Sequence, residues 1–152
     1  MGFMQSNFDP EKHKRYIPKF QGKFVGNVPP VARSSWELAF MRWCDYNSSV
    51  VKWSSETIQI PYFDPVSQKH RRYYPDFNMV VKDNTGRETP YIVEIKPYKE
   101  IHPPKKSSGK MVKTMMYESQ MYARNVSKWN AAQDFCKKRG IIFRLLTEKE
   151  LF

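Results

Sequence analysis

The sequence contains few cysteines and no long apolar run. The two cysteines, Cys44 and Cys136, have no neighbouring Cys or His at the short spacing of a zinc site, and they indicate a reducing compartment. No stretch approaches the roughly 20 apolar residues that cross a bilayer, and the N-terminus has no apolar signal core. The sequence therefore predicts a protein that works without a membrane, in the compartment where it is made.

Positive charge is what the sequence has in excess. Lys and Arg number 26 against 15 Asp and Glu, which gives a net charge of +11. This balance favours a polyanionic partner, with nucleic acid as the first candidate. Basic ribosomal, membrane-surface and simply soluble proteins have a similar charge balance. The net charge is therefore evidence about partners and does not indicate the fold.

Histidine is scarce, and the motifs of several enzyme classes are missing. His13, His70 and His102 are scattered among Lys and Arg, so we expect them to be solvated or to face DNA rather than to bind a metal or act as a base. No Gly-rich phosphate loop, His-rich nuclease motif or Ser nucleophile pattern is present.

The length of 152 residues suits one domain with its own core. Residues 1–32 are polar, basic and interrupted by four prolines, which predicts an extended arm ahead of a domain over residues 33–152. Two interpretations of the arm stay open: a disordered leader, or a strap along DNA or a partner protein.

A helix is predicted directly after the arm. The segment 34–47 opens with the Ser-x-x-Glu pattern of a capping box, and Trp36, Phe40 and Trp43 then recur at helical spacing. We expect these aromatic side chains, like Trp129 further along the chain, to belong to the core.

Three strands are predicted after this helix. Residues 50–60 alternate in polarity, and residues 71–82 form the next strand. The turn sequence at 83–86 then predicts a hairpin into a strand over 91–96, with Pro90 as its N-terminal boundary.

The remaining third of the chain predicts a loop, a helix and a strand. Residues 102–110 are rich in Pro, Ser, Gly and Lys and predict a basic loop. Apolar residues then step by three and four along a long helix to Arg139, which stops at Gly140. Residues 141–146 predict a final buried strand, so the order is helix, three strands, helix, strand.

The candidate chemistry lies on the predicted hairpin. Side chains alternate across a sheet, so Glu94 and Lys96 share one face while Val93 and Ile95 point to the core. Antiparallel pairing can then set Asp76 beside Glu94. Two converging carboxylates are what a hard cation such as Mg²⁺ requires, and Lys96 can orient a water or neutralise transition-state charge. The alternative is an exposed strand face with a surface salt bridge.

These residues resemble a known group of enzymes. Pro75-Asp76 with Glu94-Ile95-Lys96, on this element order, resembles the PD-(D/E)xK nuclease superfamily, and four segments are similar to its TnsA-like branch: 33–38, 53–56, 72–77 and 143–148. The resemblance implies an α/β fold with a restriction-endonuclease-like α-β-β-β-α-β core, in which helices flank a mixed sheet.

The resemblance also implies a function. It is that of a Mg²⁺-dependent DNA endonuclease, with Mn²⁺ as a substitute ion, in which Asp76, Glu94 and Glu37 bind the metal and Lys96 completes the catalytic set. Glu37 has a competing role, because it is also the third residue of the capping box. Phage members of this branch imply a task late in head assembly, between DNA packaging and tail attachment. The setting would be the infected host's cytoplasm or the virion, with portal or neck proteins as partners.

Nine further basic residues are predicted to hold DNA through its phosphates, without sequence preference. They comprise Lys69, Arg71, Arg72, Lys105, Lys106, Lys110, Lys113, Arg124 and Lys128. For Lys128 we favour a solvated side chain over an approach to the metal site. Two other functions stay open: a non-catalytic DNA-binding or head-neck structural protein on the same scaffold, and a transposon or repair nuclease with the same chemistry.

Overall fold

The computed structural model describes residues 14–151. Its strands are β1 (Lys14–Arg15), β2 (Val31–Ala32), β3 (Val50–Ser55), β4 (Ile60–Asp64), β5 (Lys69–Tyr73), β6 (Phe77–Lys82), β7 (Glu88–Ile95) and β8 (Ile142–Leu146). Its helices are α1 (Ser35–Tyr46), α2 (Val112–Lys137) and α3 (Glu148–Leu151), with a 3₁₀ turn at Tyr98–Ile101. Within this range no helix has both the length and the apolar content to cross a bilayer.

One mixed sheet with helices on both faces forms the centre of the fold. The strand order is β3-β6-β7-β8, antiparallel except for the parallel pair β7 and β8. Phe40 and Met41 of α1 pack on one face around Trp53, and Trp129 of α2 packs on the other face against Ile92. The predicted α/β class and the α-β-β-β-α-β core are confirmed.

Two of the predicted strands are each divided in the structure. The strand predicted over 50–60 ends at β3 because Glu56 adopts a left-handed backbone (φ 52°), which turns the chain away from the sheet. The strand predicted over 71–82 is interrupted before β6, where Pro75 has no N–H to offer a ladder. β4 and β5 pair with each other as a separate hairpin inserted between β3 and β6.

The β6–β7 hairpin forms at the predicted turn. Asp83 Oδ1 accepts hydrogen bonds from the N–H groups of Thr85 and Arg87, and Gly86 takes the positive φ of 88° that this turn requires. Pro90 is not the strand boundary that we expected, since it lies inside β7 opposite Val80. β8 pairs with β7 only from Tyr91 onward. The missing N–H of Pro90 therefore removes no hydrogen bond between β7 and β8.

Helix α1 begins as predicted, but its aromatic face is only partly buried. Ser34 is the N-cap, and its Oγ accepts from the Glu37 N–H at 3.1 Å. Phe40 is buried, whereas Trp43 is 45% exposed. The buried stripe of α1 consists of Phe40, Met41, Cys44 and Asp45, and Trp43 lies at the margin of this stripe.

The C-terminal elements follow the prediction with one difference. Helix α2 stops just before Gly140, whose φ is 68°, and Trp129 is buried as expected. Residues 102–111 form no helix or strand. β8 was expected to be buried, but it is an edge strand, and only Phe143 in it is fully buried.

The described part of the predicted arm, residues 14–32, is folded onto the domain. Asp45 of α1 is fully buried, and it accepts hydrogen bonds from Tyr16 Oη, Lys19 N and Phe20 N. Lys23 O accepts from the Trp53 N–H at 3.0 Å, along the outer edge of β3. The disordered-leader interpretation is therefore wrong for these residues, and the rest of the arm, with His13, lies outside the described residues.

Candidate active site

The carboxylates of Asp76 and Glu94 meet where β6 and β7 pair. Phe77 lies opposite Val93, so the register brings the preceding Asp76 next to Glu94. The Asp76 N–H donates to Glu94 Oε1 at 3.3 Å, and the Ile95 N–H donates to Asp76 Oδ2 at 2.8 Å. These contacts show the juxtaposition that strand alternation predicted.

Two neighbours that sequence analysis missed fix this pair in place. Tyr73 Oη, at the end of β5, donates to Glu94 Oε1 at 2.8 Å. The Glu56 N–H, from the turn after β3, donates to Asp76 O at 3.0 Å. The inserted hairpin therefore holds Glu94 of β7, and the turn after β3 holds Asp76 just before β6. The Glu94 side chain is oriented by two donors on one oxygen.

Each carboxylate keeps one oxygen without a donor. Among the described residues, none donates a hydrogen bond to Asp76 Oδ1 or to Glu94 Oε2. Burial raises the pKa of both carboxyls, and the charge of Glu94 raises that of Asp76 further. Two buried anions at this separation repel each other, so the site favours a bound cation.

Lys96 is the nearest cation to this pair. Its Nζ lies 3.8 Å from Glu94 Oε2, and its side chain is partly exposed. Val93 and Ile95 are buried in the core on the α1 side of the sheet, as the predicted alternation requires. Because Glu94 is itself only 6% exposed, this pair is not the exposed surface salt bridge that was the alternative.

Glu37 approaches the site from the first turn of α1, where it is half-buried. Its carboxylate accepts from the Arg33 N–H at 3.3 Å, so it caps the residue before Ser34 rather than Ser34 itself. Burial, then the charge of Asp76, raises the pKa of Glu37 to about 7. Glu37 therefore lies within electrostatic reach of Asp76 and serves as a helix cap at the same time.

A cavity of about 650 Å³ opens over Glu94. Five basic and two acidic residues line it together with three tyrosines: Arg33, Arg71, Arg72, Arg124, Lys128, Glu56, Glu94, Tyr62, Tyr73 and Tyr74. A concave wall with this excess of positive charge attracts phosphate groups. The sequence prediction included four of these cations, and Arg33, which pairs with Glu56, was missed.

Lys128 lies at the site rather than in solvent, which corrects the solvated position that the sequence favoured. Its Nζ is 5.7 Å from the Tyr73 ring centre and 5.9 Å from that of Tyr62. Burial lowers the pKa of Lys128, while the charge of Glu94 acts in the opposite direction. Position 128 flanks the buried stripe of α2 between Asn125 and Ala132, which is the signal that could have identified it.

The other predicted DNA contacts lie away from this cavity. Lys69 is an exposed residue of β5, and Lys105, Lys106 and Lys113 are exposed around the start of α2. Lys110 pairs with Glu118 at 3.2 Å. None of these five lines the cavity. His70 and His102 are exposed, in agreement with the solvated role expected for them.

The available ligands suit an open Mg²⁺ site better than a closed site in which protein side chains supply every ligand. Among residues 14–151, no three His, Cys, Asp or Glu side chains are grouped to hold an ion. The site offers two adjoining carboxylates, each with one oxygen that accepts no hydrogen bond within the described range, and a third carboxylate nearby. Mg²⁺ is commonly bound by one or two carboxylates, with water and substrate phosphates as its other ligands. Protein Zn²⁺ sites usually have His N or Cys S among three or four ligands, and no described His or Cys is grouped with these carboxylates.

Two comparisons with known proteins agree with this geometry. The model of the N-terminal domain of TnsA-like endonucleases matches residues 47–148, which include Asp76, Glu94 and Lys96. The chain is also similar to the head completion nuclease of Enterobacteria phage T4, with 41% identity over 141 residues, 90% of this chain and 91% of that protein.

Proposed function

Because this chain belongs to the TnsA-like endonuclease family, we propose that it is a Mg²⁺-dependent endonuclease that hydrolyses phosphodiester bonds of DNA. The observation that carries the proposal is the pair Asp76 and Glu94, held by hydrogen bonds while one oxygen of each accepts no hydrogen bond from residues 14–151. Lys96 and a cationic cavity adjoin this pair. A scaffold without catalysis would gain nothing from two buried, mutually repelling carboxylates.

Each residue of the site has a separate part in the proposed chemistry. Asp76 and Glu94 would hold Mg²⁺, which when bound polarises the scissile phosphate and lowers the pKa of an attacking water. Hydrolysis forms one P–O bond to water and breaks one P–O ester bond, while negative charge grows on the non-bridging oxygens. The Lys96 ammonium is a fixed cation that stabilises this charge. Tyr73 keeps the Glu94 carboxylate in one orientation through its hydroxyl.

The T4 relative supports a proposal about the biological setting. That protein is named a head completion nuclease, and the identity extends over nearly the whole of both chains. We therefore propose that this chain acts on packaged DNA while a phage head is completed, in the cytoplasm of the infected host. Contact with portal or neck proteins and retention in the virion stay predictions.

The function is tested by incubating the purified protein with supercoiled plasmid and Mg²⁺. We expect nicked and linear DNA with Mg²⁺ or Mn²⁺, none in EDTA, and recovery when Mg²⁺ is restored, because both carboxylates need the cation to act. Undiminished cleavage in EDTA would contradict the metal proposal. A failure to cut plasmid, linear, branched and single-stranded DNA would contradict the nuclease proposal.

The variant Glu37→Gln distinguishes a role of the Glu37 charge at the metal site from its role in helix capping. Glutamine can still accept from the Arg33 N–H, but it carries no charge toward Asp76 or toward a metal. We expect the cleavage rate at saturating DNA to fall about 10- to 100-fold, with a melting temperature near that of the wild type.

The matched control is Ser34→Ala, which removes the other half of the same cap. It should lower the free energy of unfolding by about 1 kcal/mol and leave cleavage at the wild-type rate. If Glu37→Gln instead behaves like Ser34→Ala, Glu37 is a helix cap and nothing more.

A further inference from the structure

The turn of the β4–β5 hairpin contains a buried charge that the catalytic residues do not use. Asp64 ends β4 and is fully buried. Its Oδ1 accepts from the Val66 N–H and its Oδ2 from Ser67 Oγ, both at 2.9 Å. Burial acts to raise the pKa of Asp64, but these hydrogen bonds and the charge of Arg124 hold it below its ordinary value. The residue is therefore an anion inside the fold.

Two arginines from different elements converge on one oxygen of Asp64. Arg124 of α2 places Nε at 3.0 Å from Asp64 Oδ2, and Arg71 of β5 places Nε at 3.3 Å from the same atom. Ser127 Oγ donates to Phe63 O beside them. Asp64 thus joins the inserted hairpin to the long helix across the edge of the cavity.

Each arginine faces Asp64 with its Nε atom, and this orientation determines which N–H groups can contact a ligand. A guanidinium has five N–H donors, and four of them are on the Nη atoms. Arg124 Nε donates to Asp64 Oδ2, whereas Arg71 Nε donates to Ser67 Oγ at 3.1 Å, and that hydroxyl donates to Asp64 in turn. Among residues 14–151, the only hydrogen bond from either Nη edge goes to Met121 Sδ, 3.9 Å from Arg124 Nη1. Both arginines line the cavity that contains Glu94 and Lys128.

The charge balance at Asp64 leaves a cation in excess. A turn needs only the acceptors for Val66 and Ser67, and one carboxylate neutralises only one of two guanidinium groups. Paired Nη donors with a spare positive charge match the geometry and the charge of a phosphodiester.

Building on the proposed nuclease function, we propose that Asp64 is a positioning residue that holds Arg71 and Arg124 as a clamp for a DNA phosphate entering the Glu94 cavity. DNA affinity then depends on an acidic residue. Removal of an acid normally strengthens binding to a polyanion, whereas the clamp requires that removal of this acid weakens it.

The test compares Asp64→Asn with Asp83→Asn. Both raise the net charge by one in a hairpin turn, and asparagine keeps an oxygen for the turn N–H groups. Affinity for a short labelled DNA duplex is measured in EDTA over a salt series. We expect Asp64→Asn to bind about tenfold more weakly, with a salt slope shallower by about 0.9 for each DNA phosphate that the variant no longer neutralises. Asp83→Asn should bind as tightly as the wild type or more tightly.

Equal or tighter binding by a folded Asp64→Asn, with an unchanged salt slope, would overturn the clamp. If that variant does not fold, Arg124→Lys decides, because it keeps the charge and loses the paired Nη donors. It should weaken binding, while the control Arg144→Lys should not; wild-type binding by Arg124→Lys would overturn the proposal. Because binding is measured without metal, a wild type that binds in this pattern but never cuts would contradict the nuclease function and leave the clamp standing.

Discussion

We expect Glu94→Gln to lower the rate of plasmid cleavage at saturating DNA by about 10³-fold or more. Glutamine keeps a carbonyl oxygen for Tyr73 Oη and the Asp76 N–H, so the local geometry is retained. It loses the anionic oxygen that would bind Mg²⁺, and its amide group then faces Lys96. The measurement is single-turnover conversion of supercoiled plasmid, with DNA affinity in EDTA measured in parallel.

Glu88→Gln is the matched control, since it makes the same change at the exposed start of the same strand. It should cleave at the wild-type rate. Because Glu94→Gln removes one of two repelling buried charges, we also expect its melting temperature to equal or exceed that of the wild type. Wild-type cleavage by a folded Glu94→Gln would contradict the assignment of Glu94 as a metal ligand.

Replacing Lys96 by Met should lower the same rate by about 10²- to 10³-fold. Methionine keeps most of the apolar length of lysine and removes the charge 3.8 Å from Glu94 Oε2. If Lys96 stabilises charge that develops during the reaction, the rate stays low at saturating DNA. The measurement is the cleavage rate as a function of DNA concentration.

Lys99→Met serves as the control, because Lys99 is exposed in the 3₁₀ turn three residues away. It should change the rate little. A Lys96→Met variant that recovers the wild-type rate at high DNA concentration would assign Lys96 to DNA binding alone.

The local part of the site could be predicted from the sequence. Asp76, Glu94 and Lys96 depend on strand alternation and on one hairpin whose turn sequence is specific, so short-range patterns suffice to place them. The same patterns predicted single strands over 50–60 and 71–82, where the structure has two separate strands in each range. Strand propensity shows that residues 50–60 favour extended backbone, but it does not show which sheet each part joins.

The long-range part of the site could not be predicted in this way. Tyr73 and Asp64 matter because the inserted hairpin packs against β7 and α2, and Glu56 matters because the turn before that hairpin meets Asp76. No spacing in the sequence encodes this packing. Lys128 was predicted to be solvated because it lies at the edge of the buried stripe of α2. At such a position a lysine side chain can extend toward solvent or toward the site. Arg33 depends on the same tertiary packing, through its ion pair with Glu56.

The distribution of these residues along the chain also sets the order in which the site assembles during folding. Asp76 and Glu94 belong to a local hairpin, whereas β8 reaches β7 only after the 26-residue helix α2. Local contacts generally form before distant ones, so we expect the carboxylate pair to form before α2 brings Arg124 and Lys128 against it. A chain still emerging from the ribosome therefore has its acidic pair before α2 supplies Arg124 and Lys128 to the cavity, and we expect the clamp of Arg71 and Arg124 to form only when the protein is nearly complete.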